Sequence, residues 1–195
     1  MKEIFQRLYR LVRFPQREWN RIAEENAPIS ELRYRYVLPL MCFVIIATFL
    51  NVFFDFTYEI NESITFEYAL KICSKKLVIC ISSIFIGFHV AVLIINSRLT
   101  TKLFKKRPDY HASARLVTFT ISLYLIVKTI ATLFSVLFFI YATLFYLFYI
   151  IWYSIPSTFP ELEKEKYTKF TLYAFVVICA SPILMETLMS LIMKL

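Results

Sequence analysis

The stretch LVICISSIFIGFHVAVLIINS, residues 77–97, runs for 21 residues without a charged side chain. An α-helix needs about 20 apolar residues to cross the roughly 30 Å hydrocarbon core of a bilayer. Residues 37–54 form a similar run, and two further runs, 116–160 and 170–193, each contain a single charge, Lys128 and Glu186. At 45 residues, the run at 116–160 is long enough for two crossings. The sequence therefore predicts an all-α integral membrane protein with five transmembrane helices.

The predicted spans cover residues 36–55, 76–97, 112–128, 131–154 and 170–192. Lys128 interrupts the longest apolar run, and we place a tight turn of the chain there, where its long stem can reach the membrane surface. The domains are then a cytosolic amphipathic region, residues 1–35, and a five-helix transmembrane domain, residues 36–195. Charged residues make up only 18% of the chain, which is too few to cover the surface of a soluble domain.

Lysine and arginine are distributed unevenly between the connecting segments. Residues 1–36, the loop at 98–115 and the segment at 155–169 hold 17 of the 22 basic residues. Five spans place these three segments on one side, and basic loops stay in the cytoplasm. The sequence predicts a cytoplasmic N-terminus and a C-terminus outside. Residues 1–13 lack the apolar core of a cleavable signal peptide, so we expect the first span to act as an uncleaved targeting signal.

The first 25 residues predict two short helices. In the first helix, apolar side chains recur with the helical period, and these are Ile4, Phe5, Leu8, Leu11 and Val12. Pro15 suits the first turn of the second helix, in which Trp19 docks against the inner ends of the spans or into the lipid surface. A basic helix with an apolar face binds anionic headgroups. The candidate lipid or partner residues are Arg7, Arg10, Arg13 and Arg17. The alternative, which the pattern alone favours, is that this region only anchors the topology.

Two phrases of the chain carry a resemblance to a known family. The first contains Phe14-Pro15, Glu18-Trp19, Ile22 and Glu24-Glu25, followed by Tyr36 and Leu38-Pro39-Leu40. The second contains Tyr146, Tyr149 and Tyr153, then Ile155-Pro156-Ser157 and Glu165-Lys166-Tyr167. Together they resemble the YIP family of five-span membrane proteins, in its bacterial form. The motif residues carried over are Pro15, Trp19, Ile22, Glu24, Pro39, Pro156, Glu165 and Lys166.

The resemblance implies a bacterial inner (plasma) membrane location. Eukaryotic YIP proteins are associated with Rab-type GTPases and vesicle traffic, whereas the bacterial relatives share the fold and have no assigned activity. None of the motif residues is catalytic in the family. The resemblance therefore implies a non-enzymatic protein.

The residue types that carry most enzyme chemistry are scarce or badly spaced. Four cysteines form no C-x-x-C pair, and His89 and His111 stand alone, without the spacing of metal ligands. A chain with one glycine has no glycine-rich phosphate loop. We expect no enzyme activity, no catalytic residues, no cofactor and no metal. The net charge of +8 follows the membrane pattern described above, so we expect no nucleic-acid partner.

The second span carries a polar stripe, Ser82, His89 and Asn96, at intervals of seven residues. Ser83, Gly87 and Ala91, at intervals of four, form a small-residue seam that suits close helix packing. Polar groups in a span are candidates for a transport pathway. Hydrogen bonds between helices also explain them, and this is the interpretation that we favour. Glu186 in the last span is expected near the outer interface or beside a partner.

Two functions from different classes follow. The leading hypothesis is a membrane scaffold or adaptor that binds anionic headgroups, a protein partner or a second copy of the chain through its basic N-terminal helices. The alternative is a small-solute or ion transporter or channel that uses Ser82, His89 and Asn96. A transporter requires its polar groups to converge on a cavity near the membrane midplane, and a scaffold does not.

Overall fold

A computed structural model describes residues 2–25, 27–58, 66–105 and 109–194, and the chain is all-α over these ranges, with no strand. The α-helices are α1 (Lys2–Arg13), α2 (Pro15–Glu24), α3 (Ile29–Leu32), α4 (Leu38–Tyr58), α5 (Phe66–Ile95), α6 (Arg98–Phe104), α7 (Tyr110–Leu133), α8 (Phe145–Thr158) and α9 (Tyr167–Ile192). Within these ranges, five segments are long and apolar enough to cross a membrane, the number that the sequence predicts: Ile29–Phe54, Leu70–Ile95, Tyr110–Leu133, Val136–Thr158 and Lys164–Ile192.

The third apolar helix is longer than its sequence suggested. We predicted a turn near Lys128, but α7 continues to Leu133 and the chain turns at Phe134, whose φ of −124° and ψ of 82° are not helical. The reason is a partner on another helix. The Lys128 amine lies 2.5 Å from a carboxylate oxygen of Glu186 in α9, so the charge is compensated inside the bundle and the helix need not end there.

The helix α7 lies at the centre of the bundle and packs against α4, α5, α8 and α9. The pair α5 and α9 forms the most extensive helix contact, and the small-residue seam lies in it. A Cβ placed on Gly87 would be 2.8 Å from the Cα of Pro182 in α9. Ser83 and Ala91, on the same face of α5, are fully buried. The small residues therefore allow two backbones to approach closely.

A π-helical turn, Arg33–Val37, joins α3 to α4. Pro39 follows it, and a proline has no N–H to donate to the carbonyl four residues earlier. The wider turn accommodates this loss and changes the register of the side chains. As a result Tyr36 and Val37 are both buried, and the Tyr36 ring lies 4.8 Å from the ring of Phe119 in α7.

The outer surface of the bundle is rich in large apolar side chains. Exposed members include Phe43, Ile46, Phe49, Phe53, Phe85, Leu93, Val136, Phe138, Val176 and Leu184. A soluble monomer rarely exposes contiguous apolar patches on this scale, whereas a membrane-spanning bundle places such side chains against lipid. The packing of the helices therefore agrees with their composition.

Candidate functional site: the N-terminal cap

The helices α1 and α2, with Glu25 after them, form a unit that we call the cap, residues 2–25. Its buried positions follow one helical stripe that passes through the bend at Phe14. They are Ile4, Arg7, Leu8, Leu11, Pro15, Glu18, Trp19 and Ile22. The cap packs on α7 and α8, and Arg115 near the start of α7 donates a hydrogen bond to the carbonyl of Ala23. It therefore lies towards the end where α7 begins and α8 ends, the cap end of the bundle.

Trp19 attaches the cap to two helices at once. Its side chain is fully buried, and Nε1 donates a 3.0 Å hydrogen bond to the carbonyl of Ile150 in α8. The indole also meets the ring of Phe119 in α7 edge-on, with the ring centroids 5.9 Å apart. Of the two positions predicted for Trp19, the structure has the one against the helices. The N–H of a buried indole needs an acceptor, and α8 provides it.

Arg7 forms the second attachment. The residue is buried, with Nε 3.4 Å from a carboxylate oxygen of Glu18 and Nη1 2.7 Å from one of Glu25. Nη1 also donates a 3.1 Å hydrogen bond to the Tyr36 hydroxyl, and the guanidinium lies 5.3 Å from the centre of the Phe119 ring. One side chain thus joins α1 to α2, to the first span and to α7.

Glu18 is the carboxylate at the centre of this network, and it is only 3% exposed. Besides Arg7, it has Arg10 Nε at 3.5 Å and Arg21 Nη1 at 3.6 Å. A buried carboxylate is costly to desolvate unless opposite charges surround it. Three guanidinium groups meet that condition here, so the network depends on all its charges being present.

The charge of Arg7 is secure. Burial lowers the pKa of its guanidinium, but hydrogen bonds to Glu25 and Tyr36 and the attraction of those two groups outweigh burial and raise the pKa above its ordinary value. Arginine is already protonated at any physiological pH. The ion pairs of Arg7 are therefore a permanent part of the fold and not a pH-dependent contact.

This burial corrects the list of lipid or partner candidates. Arg7 lies inside the network and is not presented to a headgroup, whereas Arg10, Arg13 and Arg17 are exposed.

The predicted apolar face of α1 also separates into a buried part and an exposed part. Ile4, Leu8 and Leu11 face the bundle, while Phe5 and Val12 are exposed and lie with Tyr9 and Phe14 beside the arginines. The outer surface of the cap is therefore basic and aromatic, which sequence periodicity did not separate from the packed face.

The remaining motif residues lie apart from this surface. Glu24 is exposed at the end of α2, and Pro39 lies in the first span. Pro156 lies inside α8, where it withholds one helical hydrogen bond. Glu165 and Lys166 form a 3-10 turn before α9, and Lys166 pairs with Glu163 at 2.7 Å. The fold places Phe14 and Pro15 of the first phrase beside Tyr149 and Tyr153 of the second, around one cavity. The described cavity linings include none of the motif residues Glu24, Pro39, Pro156, Glu165 and Lys166.

In the polar stripe of the second span, His89 forms a contact between two helices. His89 Nε2 lies 3.2 Å from Arg33 Nη1, and its Nδ1 lies 2.9 Å from the carbonyl of Phe85. Arginine can only donate, so Nε2 accepts and Nδ1 carries the proton. Ser82 and Asn96 are part-buried. The three cavities whose linings are described include none of Ser82, His89 and Asn96.

Sequence reasoning missed Glu18 and Tyr36 as members of the network, and it missed the pairing of Lys128 with Glu186. One signal was present in the sequence: Arg7 and Glu18 fall on the same helical stripe as the apolar side chains of the cap. Two charges of opposite sign on a buried stripe indicate a buried ion pair. No comparable signal connects Tyr36 or Phe119 to the cap, because those contacts join distant parts of the chain.

Comparison with protein-family models, with curated proteins and with solved structures gives no match to this chain. The resemblance to the YIP family therefore stays a prediction. Within the described ranges, no group of three His, Cys, Asp or Glu side chains lies together in the arrangement that would hold a metal ion.

Proposed function

We propose that this protein is a non-enzymatic membrane scaffold or adaptor that uses the cap to bind lipid headgroups or a cytosolic partner. The observation that carries the proposal is the division of the cap into two faces. One face is fastened to the bundle by Trp19 and Arg7. The other holds Arg10, Arg13 and Arg17 exposed on a rigid support.

The rigid support matters because ordering a flexible segment costs binding free energy. A helix that is already folded and attached presents its arginines without that cost. Basic residues near a membrane surface each contribute about 1 kcal/mol of attraction to anionic lipid. The exposed aromatic side chains beside them, such as Phe14 and Tyr9, suit the interface between headgroups and acyl chains.

The rival function has weaker support. His89 is engaged with Arg33 and Phe85, and the cavity beside it, lined by Arg33, Val37, Leu38, Met41, Phe85 and Phe88, is only about 20 Å³. That is too small for a solute pathway and is in the range of one water molecule. Helix contacts account for His89 without transport.

The location in a bacterial inner membrane, the cytoplasmic N-terminus and membership of the YIP family belong to the same proposal. They are supported by the basic segments of the sequence and by the two motif phrases. The five apolar helices are compatible with membrane insertion. A scaffold of this kind needs a stable bundle and one presented surface, and the cap supplies the surface.

The test is photo-crosslinking in cells from position 16, where exposed Gln16 is replaced by a crosslinking amino acid. We compare the parent chain with a variant in which Arg13 and Arg17 are both replaced by Glu, while Arg10 is kept because it pairs with the buried Glu18. A matched control reverses two exposed lysines elsewhere, Lys164 and Lys169. Loss of the crosslinked product in the first variant alone supports the proposal. A product that survives it, or none from the parent chain, contradicts the proposal.

The transporter hypothesis has its own measurement. The chain reconstituted in liposomes is assayed for ion and small-solute flux, with His89→Ala as the variant. Flux that is lost in His89→Ala and unchanged when Arg13 and Arg17 are replaced by Glu would favour the transporter over the scaffold.

A further inference from the structure

An apolar cleft lies between α1, α7 and the start of α8. Its volume is about 600 Å³, within the range of known ligand cavities. Its walls are almost entirely apolar: Phe5, Leu8, Tyr9, Val12, Leu123, Ile126, Val127, Thr143, Leu144, Tyr146, Leu147 and Ile150. Because α7 and α8 belong to apolar segments that suit a membrane, the cleft has the character of the hydrocarbon around it.

A second cavity of about 460 Å³ lies beside the joint between α1 and α2. Its lining is more polar and contains Phe14, Pro15, Gln16, Arg17, Asn20, Tyr149 and Tyr153. Arg17 forms no ion pair with the residues that the structure describes, and none of the lining residues is acidic. The cavity therefore offers a free positive charge together with amide and hydroxyl groups.

A row of tyrosines on α8 connects the two cavities. Tyr146 lines the apolar cleft, Tyr149 and Tyr153 line the polar cavity, and neighbouring rings along the row are 5.2 and 4.7 Å apart. Tyr146 also donates a 2.8 Å hydrogen bond to the carbonyl of Val12, which holds α1 beside the row. Seven residues of helix separate the first tyrosine from the last, a rise of about 10 Å.

The order of the two cavities along α8 gives the site a direction. Tyr153 is nearer the end of α8 and thus nearer the cap end of the bundle, while Tyr146 is nearer its start. Arg13, next to the joint, is exposed, and its Nη1 donates a 2.9 Å hydrogen bond to the hydroxyl of Tyr9 on the wall of the cleft. A charged region near the membrane surface thus leads into an apolar region deeper in the bundle.

We infer that the two cavities form one site for an acidic glycerophospholipid. An acyl chain lies in the apolar cleft, and the phosphate lies against Arg17, with Gln16, Asn20 and the hydroxyls of Tyr149 and Tyr153 as further donors. Arg13 adds positive charge above the joint. This inference rests on the proposed function, because it names the lipid that the basic surface of the cap would bind.

The site differs from the general layer of lipid around any bundle in two respects. A surrounding lipid needs only an apolar surface, whereas this site joins an open apolar cleft to an arginine that has no ion pair among the described residues. A guanidinium can bond the phosphate of either lipid, but the quaternary ammonium group of phosphatidylcholine offsets the phosphate charge and repels the arginine. We therefore expect selectivity for phosphatidylglycerol over phosphatidylcholine of the same acyl chains.

The test is native mass spectrometry of the full-length protein in detergent, titrated with dioleoyl phosphatidylglycerol or dioleoyl phosphatidylcholine. We expect phosphatidylglycerol to bind about tenfold more tightly than phosphatidylcholine, because it lacks the ammonium group that repels Arg17. Arg17→Gln should remove most of this preference. Val127→Trp, which fills the cleft, should weaken the binding of both lipids.

Two matched variants control for charge and for bulk. Arg98→Gln removes another exposed arginine outside the cap, and Val176→Trp adds the same ring to an exposed position on α9. Neither should change the affinity for either lipid. The inference is wrong if Arg17→Gln and Val127→Trp behave like their controls, since that result indicates surrounding lipid only. Equal affinity for the two lipids would also overturn it.

The lipid titration and the crosslinking experiment can succeed or fail independently, so the lipid site and the proposed function are tested separately. A selective lipid that Arg17→Gln releases, combined with crosslinks that survive reversal of the cap arginines, would leave a lipid site without the scaffold. Crosslinks that depend on the cap, combined with no lipid selectivity, would leave the scaffold without the lipid site.

Discussion

Lys128 in α7 and Glu186 in α9 form an ion pair within the apolar helices, with Nζ 2.5 Å from Oε2. The two side chains are not equally covered. Lys128 is buried, with 7% of its surface exposed, while the Glu186 side chain is 45% exposed. A charge that cannot reach the surface depends on its partner more than one that can. The ion pair therefore matters more for keeping the charge of Lys128 inside the bundle than for keeping the charge of Glu186 there.

We predict that the two single substitutions differ in cost. Glu186→Leu leaves the buried lysine unpaired and should lower the free energy of unfolding by about 3 kcal/mol. Lys128→Met leaves a partly exposed carboxylate six residues before the end of α9, where it can reach the headgroup region or take up a proton, so its cost should be nearer ~1 kcal/mol. The double variant, with an apolar pair, should be close to the parent chain. Unfolding in mixed micelles measures the free energy of unfolding of the purified parent chain, the two single variants and the double variant. Equal costs for the two single variants would contradict this account.

Gly87 is predicted to be intolerant of even one added methyl group. A Cβ there would lie 2.8 and 2.9 Å from the Cα and N of Pro182, and backbone atoms cannot move aside as a side chain does. Gly87→Ala should cost about 1–3 kcal/mol, the usual penalty of overpacking. Ser82→Ala, on the same helix but part-buried, serves as the control and should cost less. Thermal unfolding of both variants checks the difference, and a neutral Gly87→Ala would show that α5 and α9 are farther apart.

Trp19→Ala should loosen the cap while leaving the five spans inserted, because insertion depends on the apolar helices downstream. Truncating a fully buried tryptophan costs about 3–5 kcal/mol. Trp19→Phe keeps a ring against Phe119 but loses the hydrogen bond to Ile150 and part of the buried ring, so it should cost about 2 kcal/mol, less than Trp19→Ala. Proteolysis of membrane vesicles within residues 1–30 measures the loosening. Loss of the protein from the membrane would instead place Trp19 among the residues that the whole bundle needs to fold.

The distribution of lysine and arginine predicts opposite sides for the loops after the first and second spans. A variant with the four native cysteines replaced by serine, and one new cysteine at Asn61 or Arg107, should be labelled by an impermeant reagent from outside only at position 61. Both positions lie outside the residues that the structure describes, so the basic distribution alone supports this prediction. Labelling of both from the same side would contradict the five-span topology.

Much of the fold could be read from the sequence because membrane insertion depends on simple local quantities. Helix number follows from the length of uncharged runs. The seam of Ser83, Gly87 and Ala91 was visible as small residues one helical turn apart. The end of α7 was not visible in the sequence, because a lysine in an apolar run indicates a turn unless another helix compensates its charge. Here the compensating residue is Glu186 of α9, which lies 58 residues after Lys128.

The candidate site was predicted less well, for a related reason. Periodicity found the cap and its arginines but assigned Arg7 to the surface, since the side chain is basic and lies on an amphipathic helix. Its true position depends on Glu18, Glu25 and Tyr36, which compensate the charge only after the chain has folded. The separation of Phe5 and Val12 from Leu8 also depends on where α7 and α8 lie.

The sequence by itself determined the all-α class of this protein, the number of its apolar spanning segments and the presence of a basic N-terminal segment. These depend on the transfer of side chains between water and lipid, which each stretch of chain expresses without reference to the others. Tertiary structure alone decided which charges are buried, which are presented and where the cavities lie. Those properties arise from contacts such as Trp19 with Ile150, 131 residues apart, and pattern within one segment carries no information about such a partner.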